Sequence, residues 1–160
     1  MFLPLWQASS NSGTSARLPP SLGVAFMRFM TSGVASSRDS LLRMAIHLDA
    51  TGTGLLGLGT AAFAHPLAEL TGLTPVQAYV AAAAFVFYGV FGNLLARRPR
   101  IRGIGLGLSA FNFFGTVAAL ATVASGVLPL TGPGKAIVLG CGIYTLFFGA
   151  MQLVGVRRLR

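Results

Sequence analysis

From residue 41 onward, apolar stretches of helix-crossing length alternate with short polar links. A helix rises about 1.5 Å per residue, so roughly 20 apolar residues cross a bilayer core. The pattern predicts four spans, at about 43–64, 75–96, 104–125 and 136–156. The links 65–74, 97–103 and 126–135 are short, which makes successive helices antiparallel neighbours. The expected fold is all-α: a four-helix transmembrane bundle in one domain, 41–160. The first span differs from the others. It opens at Arg43 and holds an acid, Asp49, within its apolar run.

Residues 1–40 read differently. Nine of the forty are serine, with Pro4, Pro19 and Pro20 among them, so a mostly disordered tail is expected. The alternative is a true start at Met27 or Met30, with a mis-assigned segment ahead of it. The apolar patches 2–6 and 22–30 are too short to span; the second has the length to lie on a membrane surface. The first basic residue is Arg17, so the tail lacks the basic opening of a secretory signal.

Composition sharpens the class. Charged residues make up 9% of the chain, against about a quarter in soluble domains, and the mean hydropathy is +0.73. The solvent for such a chain is lipid. A net charge of +9 raises the question of nucleic acid, but the basic residues form no single face. They sit between the apolar runs, where they act as topology signals. Arg17, Arg28, Arg38 and Arg43 precede the first span. Arg97, Arg98, Arg100 and Arg102 follow the second, and Arg157, Arg158 and Arg160 follow the fourth. Four spans put these eleven of the twelve basic residues on one side, with Lys135 opposite. The expected location is the plasma (inner) membrane, multi-pass, with both termini cytoplasmic. A single cysteine, Cys141, excludes an intramolecular disulfide and a thiolate metal cluster.

The two halves echo each other. Asp49-x-x-Gly52-Thr53 matches Asn112-x-x-Gly115-Thr116, and Leu70-Thr71-Gly72 matches Leu130-Thr131-Gly132. Asn93-Leu94 before Arg97-Arg98-x-Arg100 resembles Gln152-Leu153 before Arg157-Arg158-x-Arg160. The order predicts two tandem helical hairpins, related by an axis along the membrane normal.

Each span carries one strong polar group: Asp49, Asn93, Asn112 and Gln152. Asp49 lies roughly 9 Å along its helix from Arg43, and all four lie in the half nearer the arginines. Residues three or four apart share a helix face. Asp49 therefore stacks with Gly52 and Thr53, Asn112 with Gly115 and Thr116, Gln152 with Gly149, and Asn93 with Gly89. Small and polar faces let membrane helices approach and hydrogen-bond, so one intramembrane polar cluster is expected. An acid there costs roughly 2.5–3.5 kcal/mol at a helix centre. Two readings stay open for Asp49: a packing role, satisfied by Asn112, Thr53 or Arg102, and a proton- or substrate-handling role. His47 and His65 lie about 27 Å apart on one helix and cannot share a metal. Gly132-Pro133-Gly134-Lys135 lacks the earlier glycine and the following Ser or Thr of a phosphate loop. No nucleophile and base are spaced for catalysis, and no cofactor or metal is expected.

Leu48-Asp49-Ala50 with Thr and Gly following, Ala96-Arg97-Arg98-Pro99, Asn112 and Gln152-Leu153 carry a resemblance. Over about three quarters of its length the chain resembles a family of small four-helix integral membrane proteins of actinobacteria, including mycobacteria. The resemblance implies location and fold, and no activity. Three functions follow as expectations. The first is a non-enzymatic structural or assembly component of a cell-envelope membrane complex. It would form a homo-oligomer or bind another membrane or envelope protein through faces such as Thr53-Gly57-Ala61. The second is a small proton-coupled transporter or exporter using Asp49, and the third a quinone-linked protein, which no bis-histidine pair supports.

Overall fold

The computed structural model describes residues 20–159. The chain divides into two units, 1–34 and 35–160. In the first, the described residues, 20–34, are helical. The expected tail thus gives way to helix at Pro20, and positions 1–19 lie outside the described residues, as does Arg160. Five helices follow in order: α1 Pro20–Ala62, α2 Ala64–Thr71, α3 Pro75–Ala96, α4 Ile101–Ser125 and α5 Gly132–Arg157. No strand occurs among the described residues.

Local chemistry sets the boundaries. Pro66 has no N–H, and its ring excludes a helical carbonyl four residues back, at Ala62. α1 ends there, and the segment read as a loop after it folds as the short helix α2. Gly72, in the left-handed region at φ 81°, closes α2 with its N–H on Ala68 O. Thr74 opens α3 with a full capping box: its Oγ1 accepts from Gln77 N at 3.2 Å, and Gln77 Oε1 accepts from Thr74 N at 2.8 Å. Pro75 occupies the first turn, where its missing N–H costs nothing. Thr131 caps α5 by accepting from Gly134 N at 3.0 Å. Gly132-Pro133-Gly134-Lys135, expected as a link, is the first turn of that helix.

Three helices, α3, α4 and α5, are long and apolar enough to cross a membrane. At 22 residues, α3 measures about 33 Å, just over the bilayer core. The part of α1 from 43 to 62 is less apolar because it holds Arg43, His47, Asp49, the threonines Thr51, Thr53 and Thr60, and the glycines Gly52, Gly54, Gly57 and Gly59 in place of aliphatic residues. What faces outward confirms the solvent. Phe87 and Phe114 are each 69% exposed, while Asp49, Ser109 and Gln152 rank among the largest fully buried side chains. Such a surface has no stable form in water. The chain is a membrane protein.

The helices meet through glycine and alanine. α1 crosses α3 at Ala50 and Gly54 against Gly89, and Gly57 sits against the backbone of Ala82 and Val86. The face Thr53-Gly57-Ala61, read from the sequence as an outward assembly surface, therefore includes a glycine used up inside the chain. α4 packs along α5, with Ser109 Oγ donating to Gly149 O at 2.7 Å and the Thr116 and Thr145 hydroxyls 2.9 Å apart. α3 and α4 touch over a much shorter stretch.

Both ends are tied. At the arginine end, Leu42, Ile46, Ala96, Ile101, Leu108 and Val156 form an apolar plug. Arg43 donates to the carbonyls of Ala96 and Arg98, satisfying the orphan acceptors at the end of α3. At the other end the two Leu-Thr-Gly links bind each other. Thr131 N donates to Thr71 O at 3.0 Å, and Thr131 Oγ1 donates to Leu70 O. A Cβ on Gly72 would lie 2.2 Å from Pro129 O, and one on Gly134 2.2 Å from Thr71 O. Gly126 also has a positive φ, 63°, but nothing lies within 4 Å of its Cβ position. Gly126→Ala should therefore cost only the left-handed penalty, about 1–2 kcal/mol. Gly72→Ala should cost more by the clash, roughly a further 1–3 kcal/mol. Thermal unfolding of the two variants in one detergent separates backbone conformation from contact; equal losses would refute the loop pairing.

Candidate functional site

Asp49 lies on α1 two turns in from the arginine end and is 1% exposed. Three helices aim donors at one of its oxygens. Tyr88 Oη from α3, Asn112 Nδ2 from α4 at 2.7 Å and Gln152 Nε2 from α5 at 2.8 Å all donate to Oδ2. Thr53 donates to Oδ1 across 3.5 Å. A second layer holds the first. Asn112 Nδ2 also lies 3.3 Å from Gln152 Oε1, and Tyr144 donates to the Asp49 backbone carbonyl at 3.1 Å. Every side chain around the carboxyl is a donor, the set that an acceptor-only carboxylate demands. No arginine reaches it among the described residues. Among the described residues the one ion pair joins Arg43 to Asp39, a turn earlier on α1, at 3.6 Å.

The four polar residues singled out from the sequence do not form one cluster. Asp49, Asn112 and Gln152 meet; Asn93 does not join them. Its Nδ2 donates to Gly89 O at 2.8 Å, which turns its Oδ1 toward His47, whose Nδ1 donates at 2.7 Å. Thr51 completes this second group on the α1–α3 seam. The small residues fall into place around the first group: Gly52 admits the Tyr144 hydroxyl, Gly115 faces Thr145, and Gly149 faces Asn112. Ala61 is half-buried on α1. Arg97, Arg98, Arg100, Arg102, Arg157 and Arg158 are exposed at the arginine end.

Sequence reasoning missed Tyr88 and Tyr144. Both sit in apolar helices, where tyrosine reads as one more large side chain. The available signal was burial of a hydroxyl, which must find a partner, and an acid elsewhere in the bundle supplies it.

Between α3 and α4, where those helices separate, lies a cavity of about 920 Å³. It occupies the half of the bundle away from the arginines. Leu56, Phe63, Leu67, Ala81, Phe85 and Ile137 are among its apolar walls, and α1 and α5 form its back. Tyr88, Asn112 and Thr53, three of the donors that hold Asp49, line its inner end. The Tyr88 ring stacks on Phe111 there, centroids 5.6 Å apart and 14° from parallel, bridging α3 to α4. A smaller cavity, about 370 Å³, lies over Ala50, Gly54, Gly89 and Asn93. Among the described residues no group of three or more His, Cys, Asp or Glu is placed to hold a metal ion.

No family model, curated protein or solved structure matches this chain.

Proposed function

We propose that the chain is a four-span protein of the plasma membrane, built as two tandem hairpins, with the arginine end in the cytoplasm, and that it serves as a non-enzymatic component of a cell-envelope membrane complex. In this reading α1 spans with α3, α4 and α5, despite its lower hydropathy, because its polar groups are satisfied inside the bundle. Matched residues of the two halves meet pairwise, Asp49 with Asn112 and Thr71 with Thr131, as residues near a pseudo-twofold axis do. The assignment to the small actinobacterial four-helix membrane family belongs to the same proposal.

One observation carries the assembly reading. The strong polar groups are spent on holding the helices to each other, and small residues remain on the outside. Gly103 and Gly107, one turn apart on α4, have nothing within 4 Å of their Cβ positions. A partner helix in the bilayer can approach closely there. The partner is a second copy or another membrane or envelope protein, with lipid covering the rest. The test is the mass of the particle purified in mild detergent from native membranes. Wild type should run as a complex, and Gly107→Leu should fall to the monomer with unchanged thermal stability. A monomeric wild type would end this reading.

A second reading, a small proton-coupled exporter working through Asp49, is favoured by the cavity that reaches the donors of Asp49. Cells carrying Asp49→Asn at normal protein level should then lose drug tolerance; unchanged tolerance would count against it.

A further inference from the structure

We propose that the cavity between α3 and α4 binds a lipophilic monocation, an aromatic or alkyl onium compound or a hydrophobic amine. The inference concerns binding alone and needs neither assembly nor transport.

Size comes first. At about 920 Å³ the space lies within the roughly 300–1,000 Å³ of small-molecule sites, and its walls are apolar, as such sites require. The sign of charge then selects the occupant. The carboxyl of Asp49 stands behind the inner end in a shell made only of neutral donors, the surroundings that suit a carboxylate, with no cation paired to it among the described residues. In a low-dielectric interior, that uncompensated charge attracts a cation and repels an anion.

The inner end offers a cation what it needs without breaking the hold on Asp49. Asn112 is 97% buried by its 3% exposure, lines the cavity, and spends its amide nitrogen on Asp49. The Tyr88 and Phe111 rings present π-faces beside it, and Phe85 and Phe114 line the same cavity. Cations bind such faces most strongly when water is absent. The entrance favours the same class: it lies between two membrane helices, at exposed Ala84 and Phe114. The occupant must therefore arrive through lipid, which a hydrophobic cation does and a hydrated one does not. Among the described residues no lysine or arginine lines the cavity, so none of them would hold an acidic headgroup there.

The experiment measures equilibrium binding of tetraphenylphosphonium, with neutral triphenylphosphine oxide as control, to the purified full chain in detergent micelles. Wild type should bind the cation saturably and prefer it to the neutral compound by roughly tenfold or more, the worth of one desolvated cation–π or charge contact. Ala84→Trp puts a large ring at the entrance, leaves every donor to Asp49 in the sequence, and should weaken binding of both compounds at least tenfold. Asp49→Asn should remove the preference while leaving the neutral compound bound. If wild type binds both compounds equally, the cavity takes any apolar molecule, lipid tails included, and the proposal is overturned. It is also overturned if Ala84→Trp, melting like wild type, binds the cation unchanged. Should Asp49→Asn fail to fold, the comparison of the two compounds on wild type and Ala84→Trp still decides.

Discussion

Asp49→Ala is expected to be the most damaging single change in the bundle. It removes the acceptor that three donors share, Tyr88 Oη, Asn112 Nδ2 and Gln152 Nε2, and leaves Asn112 only its longer contact to Gln152 Oε1 at 3.3 Å. Each buried unpaired donor costs about 1–3 kcal/mol. Membrane hydrogen bonds average nearer 0.6 kcal/mol, because helices separated in lipid find other partners. With each donor taken at the low end of the first range, the loss is on the order of 3 kcal/mol. Asp49→Asn keeps one oxygen that accepts two donors, so it should cost roughly 1–2 kcal/mol. Asn93→Ala removes only the seam group and should fall below both. Unfolding of the three variants by SDS titration in mixed micelles gives the ranking. A loss under about 0.5 kcal/mol for Asp49→Ala would mean that the carboxylate does not lock the helices.

The second large effect is expected at Gly89. A Cβ there would lie 2.6 Å from Gly54 Cα, 2.8 Å from Ala50 O and 2.9 Å from Gly54 N. All three are backbone atoms of α1, so no rotamer change relieves the clash. Gly89→Leu must push α1 and α3 apart, which also strains the Tyr88–Asp49 and His47–Asn93 contacts that span the same seam. Overpacking costs about 1–3 kcal/mol, and an immobile neighbour puts this site at the top of that range. Gly54→Ala is the control. Its Cβ would meet only Gly89 Cα, at 3.4 Å, so it should lose less than about 1 kcal/mol. The crossing geometry predicts this asymmetry between two facing glycines. Equal effects in the same SDS titration would mean that the helices cross elsewhere.

Much of this architecture was legible in the order of residue types. Helical, membrane-embedded character follows from apolar run length, because a bilayer admits only backbones that satisfy themselves. The Thr74-Pro75 opening of α3 can be read in advance, since capping is local, whereas Thr131-Gly132-Pro133, expected within a link, proves to open α5. The fate of 65–71 was less legible. Pro66 marks a break, yet whether the chain resumes as helix depends on what Ala64, Ala68 and Thr71 find to bury against. Polarity in an apolar run singles out Asp49, Asn112 and Gln152, but the same signal picks Asn93 equally. Helix rotation separates them: Asn93 faces the α1–α3 seam, and a one-dimensional pattern carries no azimuth between helices.

By itself, then, the sequence determined the solvent, the helical class, the arginine-rich end and the presence of an acid that had to be satisfied. These depend on composition and on contacts within a few residues. Tertiary structure alone decided which donors satisfy that acid, that a tyrosine 39 residues away is one of them, and that the two Leu-Thr-Gly links grip each other. It alone decided that α3 stands away from α4 and leaves a cavity above the carboxylate. The physical reason is the same in each case. Burial and hydrogen bonding are settled by side chains far apart in the chain, and their meeting depends on crossing points where Gly89, Gly57 and Gly149 let backbones touch.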